Sequence, residues 1–526
     1  MLLRKMTRTT ITAAFALLLS LTTATAGNVR KGVGCWRTVP RHHQAATRML
    51  KQWKSEETSS NIFTGTKRGL VILAEFQDVK FKSTNNQEKY LKIMNEPGYT
   101  TPEGFMGSVS DYFRDQSGGL FDLQFDVVGP YTASKTASYY GKNDKDGNDE
   151  YAHLLIVEMC KAADADVNFA DYDWDGDGEA EEVFVVYAGK GEADTDGASY
   201  IYPHMWTLEE AGVGPLKFDG TLVDIYACAN ELTYRGTING IGTFCHEFSH
   251  CMGFPDFYDI TYSGQFGMGD FDLMSGGNYA GNGFRPVGYT AYEKMMCGWT
   301  IPIVLGDEDV TVDSMAPISR QGDTYIIYNE AYPDEYYLIE NRQKTGWDAD
   351  YPARGLLITH VDYDEEVWYN NIPNSILTRQ EALDWGLTAG NDHQRMTLFH
   401  ADNDDDTKYW NEYGSYHTKS TVSTDLYPYR QNDSLTVTSK PAATLFHRNT
   451  EGIKKMRGAI THIKQNSDKT MSFTYRAPVN VPVAIRETPA TTLPRRIYTL
   501  DGRVAGTTLE SLPHGIYVID GRKVVR

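Results

Sequence analysis

The stretch that most restricts what this chain can become is FCHEFSHCMGFPDFYD, residues 244–259. His246 and His250 stand four apart, so on a helix they project from one face and can both reach a metal ion at ~2.1 Å. Glu247 then lies beside the ion's open position, where a carboxylate can take a proton from water and return it to a leaving amine. The helix cannot run on. Gly253 offers a left-handed exit and Pro255 blocks continuation, so the chain is expected to swing back and carry Asp256 under the metal. Two histidines and an aspartate make a three-ligand zinc site with the fourth position open. Glu293, in YTAYEKMMCGW, is the alternative third ligand, but with it the Gly-Pro-Asp turn has no evident purpose.

Further on, FDLMSGGNYAG puts Met274 in a tight glycine turn 24 residues after His250, where it is read as the floor of the site. The zinc segment with this methionine turn resembles the metzincin signature, with aspartate in place of the usual third histidine. More broadly, residues 69–475 resemble the immune inhibitor A-like metallopeptidases. The shared core HExxHxxGxPDxYD is matched by residues 246–259, and DYFRDQSGG, DGDGEAEEVFVVYAGKGE, PHMWTL, FDLMSGG and ENRQKTGWDADYPARGLLITHVD are further similar stretches. The resemblance implies zinc-dependent hydrolysis of internal peptide bonds in protein or peptide substrates, with Glu247 as general base. The leader is shorter than the family leads one to expect.

The chain opens with a basic start (Arg4, Lys5, Arg8), an apolar run over 11–21 and the small-residue ending Ala24-Thr25-Ala26. This reads as a signal peptide, residues 1–26, because the apolar run is shorter than the roughly 20 residues of a bilayer span. The mature protein is therefore expected to be secreted or held at the cell surface. Residues 27–66 read as a leader or short propeptide, and GLVILAEF (69–76) reads as a buried strand that opens the folded part. Strands and helices alternate up to residue 300, after which short β-rich runs dominate. The expected fold is an α/β (α+β) metzincin-like zinc peptidase domain over 67–300, a β-rich extension over 301–476, and a linker with a small C-terminal β module over 477–526. The last 40 or so residues carry Asp501-Gly502 and Asp520-Gly521 hairpin turns and resemble sorting modules of exported Bacteroidetes proteins, which makes secretion machinery a candidate partner.

A net charge of −20 disfavours nucleic acid and anionic membranes as partners, and no stretch after the signal is long and apolar enough to span a bilayer. Six cysteines in 526 residues are too few for a disulfide scaffold. In DYDWDGDGEAEE, Asp171, Asp173, Asp175, Gly176 and Glu182 follow the spacing of a loop that wraps calcium in oxygen ligands. Asp177 and Gly178 permit a second register starting at Asp173. The strand VFVVYAG follows, so at least one calcium ion is expected to brace the domain rather than to sense. Cys35 reads as an unpaired leader cysteine, His360 and Asp362 as structural, and ADNDDD (401–406) as a solvated loop. An endopeptidase is the expected function. The alternative is a catalytically silent, calcium-stabilised surface binding protein on a protease scaffold, against which the intact His246, Glu247, His250 and Met274 weigh.

Overall fold

A computed structural model of the chain describes residues 62–145, 147–195, 197–405 and 422–478, with 497–499, 504–506, 512, 516–519 and 522–525. The expected signal peptide, nearly all of the expected leader, and Cys35 lie outside the described residues.

A five-stranded sheet organises the first half. Its strands are β1 (Gly65–Glu75), β2 (Phe121–Thr132), β3 (Val183–Lys190), β4 (His204–Thr207) and, after a small hairpin of β5 (Leu216–Phe218) and β6 (Thr221–Val223), β7 (Ile225–Leu232). The order is β2-β1-β3-β7-β4. All neighbours are parallel except β4, which runs antiparallel to β7 and forms an edge. A parallel sheet needs cover on both faces, which explains why β1 reads as an unbroken apolar run. Leu70, Ile72 and Ala74 belong to a core shared with Leu155, Ile156, Met159 and Cys160 of the helix Ala152–Ala163. Val71 and Leu73, pointing the other way, join Phe244, Cys245 and Phe248 of the helix Gly242–Cys251.

That second helix is seated by aromatic contacts. Phe244 stacks on Phe184 of β3 at 3.8 Å between ring centroids and meets Phe125 of β2 edge-on at 5.5 Å. Its first turn lies so close to a neighbouring loop that a Cβ on Gly242 would come within 1.9 Å of the Asn278 carbonyl oxygen. No larger side chain fits there without moving backbone.

The second half adds β8 (Ile303–Val304), β9 (Val310–Met315), β10 (Tyr325–Tyr328), β11 (Glu335–Arg342), β12 (Gly355–Asp362), β13 (Met396–Leu398), β14 (Ala459–Gln465) and β15 (Met471–Arg476). They form a sheet of order β13-β12-β11-β10-β8 and a smaller one of order β14-β15-β9. Tyr325, Ile327, Tyr337 and Ile339 pack toward Ile460, Phe473 and Tyr475 of the small sheet. The alternate residues Ile326, Tyr336 and Leu338 join the core that holds the helix Gly242–Cys251. The two halves thus share one interior, within a compact unit that ends at Pro478. A second unit, Val479–Arg526, contains the antiparallel strands β16 (Ile497–Thr499), β17 (Val504–Gly506), β18 (Ile516–Ile519) and β19 (Arg522–Val525) in the order β17-β16-β18-β19. Five cysteines among the described residues, Cys160, Cys228, Cys245, Cys251 and Cys297, are buried, and none of them forms a disulfide. No described helix is long and apolar enough to cross a membrane.

Candidate active site

The helix Gly242–Cys251 is buried over nearly its whole length and carries His246, Glu247 and His250. It ends where Gly253 adopts φ 98°, with Gly253 N–H donating to the His250 carbonyl and Phe254 N–H to that of Ser249. A side chain at Gly253 would be strained in this left-handed conformation. The reversal brings the Phe254 carbonyl back under His250, whose Nδ1 lies 2.7 Å from it. His246 Nδ1 lies 2.8 Å from the Leu273 carbonyl in the turn that contains Met274. Each imidazole therefore donates through Nδ1 and offers its Nε2 lone pair, the arrangement typical of metal-ligating histidine.

Both Nε2 atoms face Asp256. Its Oδ1 is 3.1 Å from His246 Nε2 and 3.3 Å from His250 Nε2, and the three side chains are buried. Oδ1 accepts no well-aligned hydrogen bond. Three ligands of one tetrahedral ion bound at ~2.05 Å stand ~3.3 Å apart, so these separations and this donor set fit zinc. Burial pushes the Asp256 carboxyl up, but the charge of His250 and hydrogen bonding by His246 and His250 hold it well below the usual carboxylate range.

Glu247 is buried beside this centre, and its carboxyl is pushed up to about 8 by burial, the charge of Asp256 adding to the shift. His246 and a backbone N–H from Met205 oppose it. Met205 belongs to β4, so the sheet's antiparallel edge runs past the carboxylate. Met274, fully buried, accepts at its carbonyl the Phe257 N–H (2.7 Å) and donates its own N–H to Asp272 Oδ1 (2.7 Å). The methionine turn thus ties the Asp256 segment to the His246 ring.

Several residues that sequence reasoning missed hold Asp256 in place. Asn371 accepts the Asp256 N–H at Oδ1 (2.6 Å) and donates through Nδ2 to Asp256 Oδ2 (2.8 Å), which turns Oδ1 toward the histidines. Asn374 donates to the Phe257 carbonyl (2.9 Å), and Ser375 Oγ accepts the Ile260 N–H (2.9 Å). These partners lie over 110 residues downstream, and NNIPNS signals only a polar turn in the sequence. Glu293, the alternative ligand, is elsewhere. It accepts from Thr290 N–H (2.7 Å) at the start of the helix Ala291–Met296.

The acidic loop comes together in part. Carboxylates of Asp173, Asp175 and Asp177 converge within 4.8 Å of one another. Gly176 and Gly178, at φ 80° and 91°, donate their N–H groups to Asp173. Asp171 turns away to pair with Arg68. Glu182 also stands apart: it is buried against the thiol of Cys251, and burial pushes its carboxyl well above the usual range. Glu181 faces the loop instead, accepting the Trp174 N–H, its carboxyl pushed up to about 8 by burial and by Asp175 and Asp173. Spacing alone could not tell which of two consecutive glutamates turns toward the loop. His360 pairs with Glu335 (2.9 Å), and Asp362 takes His393 (2.7 Å) and Arg395 (2.8 Å). Asp406, with most of the loop after it, lies outside the described residues.

A parallel sheet is thus backed by a buried His-Glu-x-x-His helix, with a third acidic side chain returned by a glycine turn. Residues 63–300 match the catalytic domain of immune inhibitor A peptidase M6. The pre-pro-metalloprotease PrtV of Vibrio cholerae serotype O1 (strain M66-2) is 27% identical over 277 residues, covering 44% of this chain and 29% of that protein. Immune inhibitor A of Bacillus thuringiensis subsp. alesti is 26% identical over 270 residues, covering 43% of this chain and 38% of its own length. The match thus spans only about a third of these relatives.

Proposed function

We propose that the chain is an exported, zinc-dependent endopeptidase of metzincin-like architecture. The observation that carries this reading is the meeting of His246 Nε2, His250 Nε2 and Asp256 Oδ1 beside the buried carboxylate of Glu247. His246, His250 and Asp256 would hold one zinc ion, which when bound supplies Lewis-acid polarisation of a peptide carbonyl and makes water a stronger acid. Glu247 takes the proton from attacking water and passes it to the leaving amine, so one carboxylate serves as base and then acid. An extended substrate adds as a further strand along the free edge of β4, which brings an internal peptide bond past Glu247. Strand addition of this kind needs no free chain end, which suits proteins and long peptides as substrates.

In the same reading, residues 67–300 form the catalytic domain and 301–476 the extension that completes it. The acidic loop takes a structural calcium ion through Asp173, Asp175 and Asp177, and the C-terminal module addresses the protein to secretion machinery. The name of the Vibrio relative, a metalloprotease, supports the activity. The test is casein turnover by the purified protein with and without a zinc chelator, alongside metal analysis. Bound zinc without any proteolysis would favour the silent binding protein.

A further inference from the structure

Beneath the methionine turn lie two carboxyl groups that the proposed chemistry does not use. Asp272 and Glu293 are each 0% exposed. One oxygen of each is committed: Asp272 Oδ1 accepts the Met274 N–H, and Glu293 Oε2 accepts the Thr290 N–H and hydroxyl. The other two, Asp272 Oδ2 and Glu293 Oε1, receive no N–H or hydroxyl from any group among the described residues. The nearby cations do not reach them. Arg342 spends its donors on Glu340, Asp348 and the Gly288 carbonyl, and Lys294 donates to the Gln116 carbonyl.

The two carboxyls lie within hydrogen-bonding reach of each other, so if both were ionised they would repel in a medium that screens poorly, and one proton between them removes the repulsion and satisfies both oxygens. We propose that Asp272 and Glu293 hold a single shared proton between Oδ2 and Oε1, and that this hydrogen bond clamps the turn whose Leu273 carbonyl orients His246. The proton resides on Asp272: burial pushes its carboxyl well above the usual range, and the charge of Glu293 and the hydrogen bond to it act the same way. Arg342 acts in the opposite sense. The charged groups around the pair are Arg342, Lys294 and Glu340. The neutral ionisable ones are Tyr351 on the Asp272 side and Tyr112, Tyr289, Tyr292 and Cys297 on the Glu293 side, all with burial holding their protons more tightly. Asp272 and Glu293 are therefore positioning residues. Their link to the metal runs through one hydrogen bond, from His246 Nδ1 to Leu273, and that part of the inference rests on the zinc reading.

Infrared difference spectroscopy on the full, metal-free chain tests the proton itself. Asp272→Asn keeps an acceptor for Met274 and offers a permanent N–H to Glu293, while Glu293→Gln offers one to Asp272. Both variants are expected to lose the same protonated-carboxyl band that the unsubstituted protein carries at neutral pH. If either spectrum keeps that band, the shared proton is overturned whatever the metal does. Competition with a chromophoric chelator tests the clamp: Asp272→Ala is expected to bind zinc roughly tenfold or more weakly, and Asp272→Asn within about threefold of the parent. Alkaline pH should weaken zinc retention in the parent but not in Asp272→Asn. Equal affinity across Asp272→Ala and the parent, or the same alkaline loss in Asp272→Asn, overturns the positioning role.

Discussion

The histidine centre and the acidic loop both gather three metal-type ligands, yet they are built in opposite ways. His246, His250 and Asp256 are buried, and each is aimed by a hydrogen bond to its other side: Leu273, Phe254 and Asn371. Those supports come from the helix exit, the methionine turn and a segment more than a hundred residues away. Asp173, Asp175 and Asp177 are more open to solvent and are held by N–H groups of their own loop, from Gly176 to Glu179. A centre supported by the whole fold keeps its geometry without an ion. A loop anchored to β1 and β6 through its backbone and Trp174, but whose three carboxylates lie close together, would depend on a cation to offset their repulsion. Substitutions at the first should therefore change chemistry and metal affinity, and at the second stability.

The largest effect is expected at Asp256. With the proposed ligand set, Asp256→Ala would remove a metal bond and its negative charge together, so zinc should fall well below one per chain and proteolysis should disappear with it. Asp256→His should restore binding in part, because zinc accepts imidazole and carboxylate alike. Full zinc in Asp256→Ala, measured by elemental analysis, would break the ligand assignment. Next in size is Glu247→Gln, which leaves the three donors intact. It should retain zinc and lose roughly 10²–10⁴-fold in peptide hydrolysis, the usual contribution of a general acid–base group. Near-normal turnover would remove Glu247 from the mechanism.

A smaller loss separates local from distant support. Asn371→Ala frees the Asp256 carboxylate to rotate, and metal affinity should drop by about 10–100-fold, as for other residues that orient a ligand. If zinc affinity in chelator competition is unchanged, the second half of the chain merely covers the site.

This residue also marks the limit of what the sequence discloses. His246, His250, Asp256 and the exit at Gly253 are legible together because they fall within eleven residues, where helix period and glycine-proline chemistry dictate geometry. The buried strands β1 and β3 are legible because cover on both faces forces unbroken apolar runs. Asn371 is not, since its partner lies 115 positions away and a polar turn has many uses. The choice between Glu181 and Glu182 escapes for another reason. Both precede β3, and a spacing rule for a loop does not say how the chain is rotated as it enters the strand.

The smallest effect belongs to the loop, and it is the sharpest test of the contrast. Calcium at a hundred times its dissociation constant stabilises a fold by about 2.7 kcal/mol, since it binds the folded state alone. For a unit of roughly 400 residues, with about 2.1 cal/mol/K of unfolding entropy per residue, that corresponds to roughly 3 °C in melting temperature. A calcium-selective chelator should lower the melting temperature by an amount of that order, while zinc content stays constant. Asp175→Asn should remove most of this calcium dependence. Asp171→Asn should keep it, because Asp171 is paired with Arg68 outside the cluster. Were Asp171→Asn to lose calcium dependence and Asp177→Asn to retain it, the register starting at Asp171 would be the operative one. A melting curve indifferent to calcium in the parent would mean that the three aspartates are held by their own backbone alone, and the two centres would then be alike in needing no ion to keep their shape.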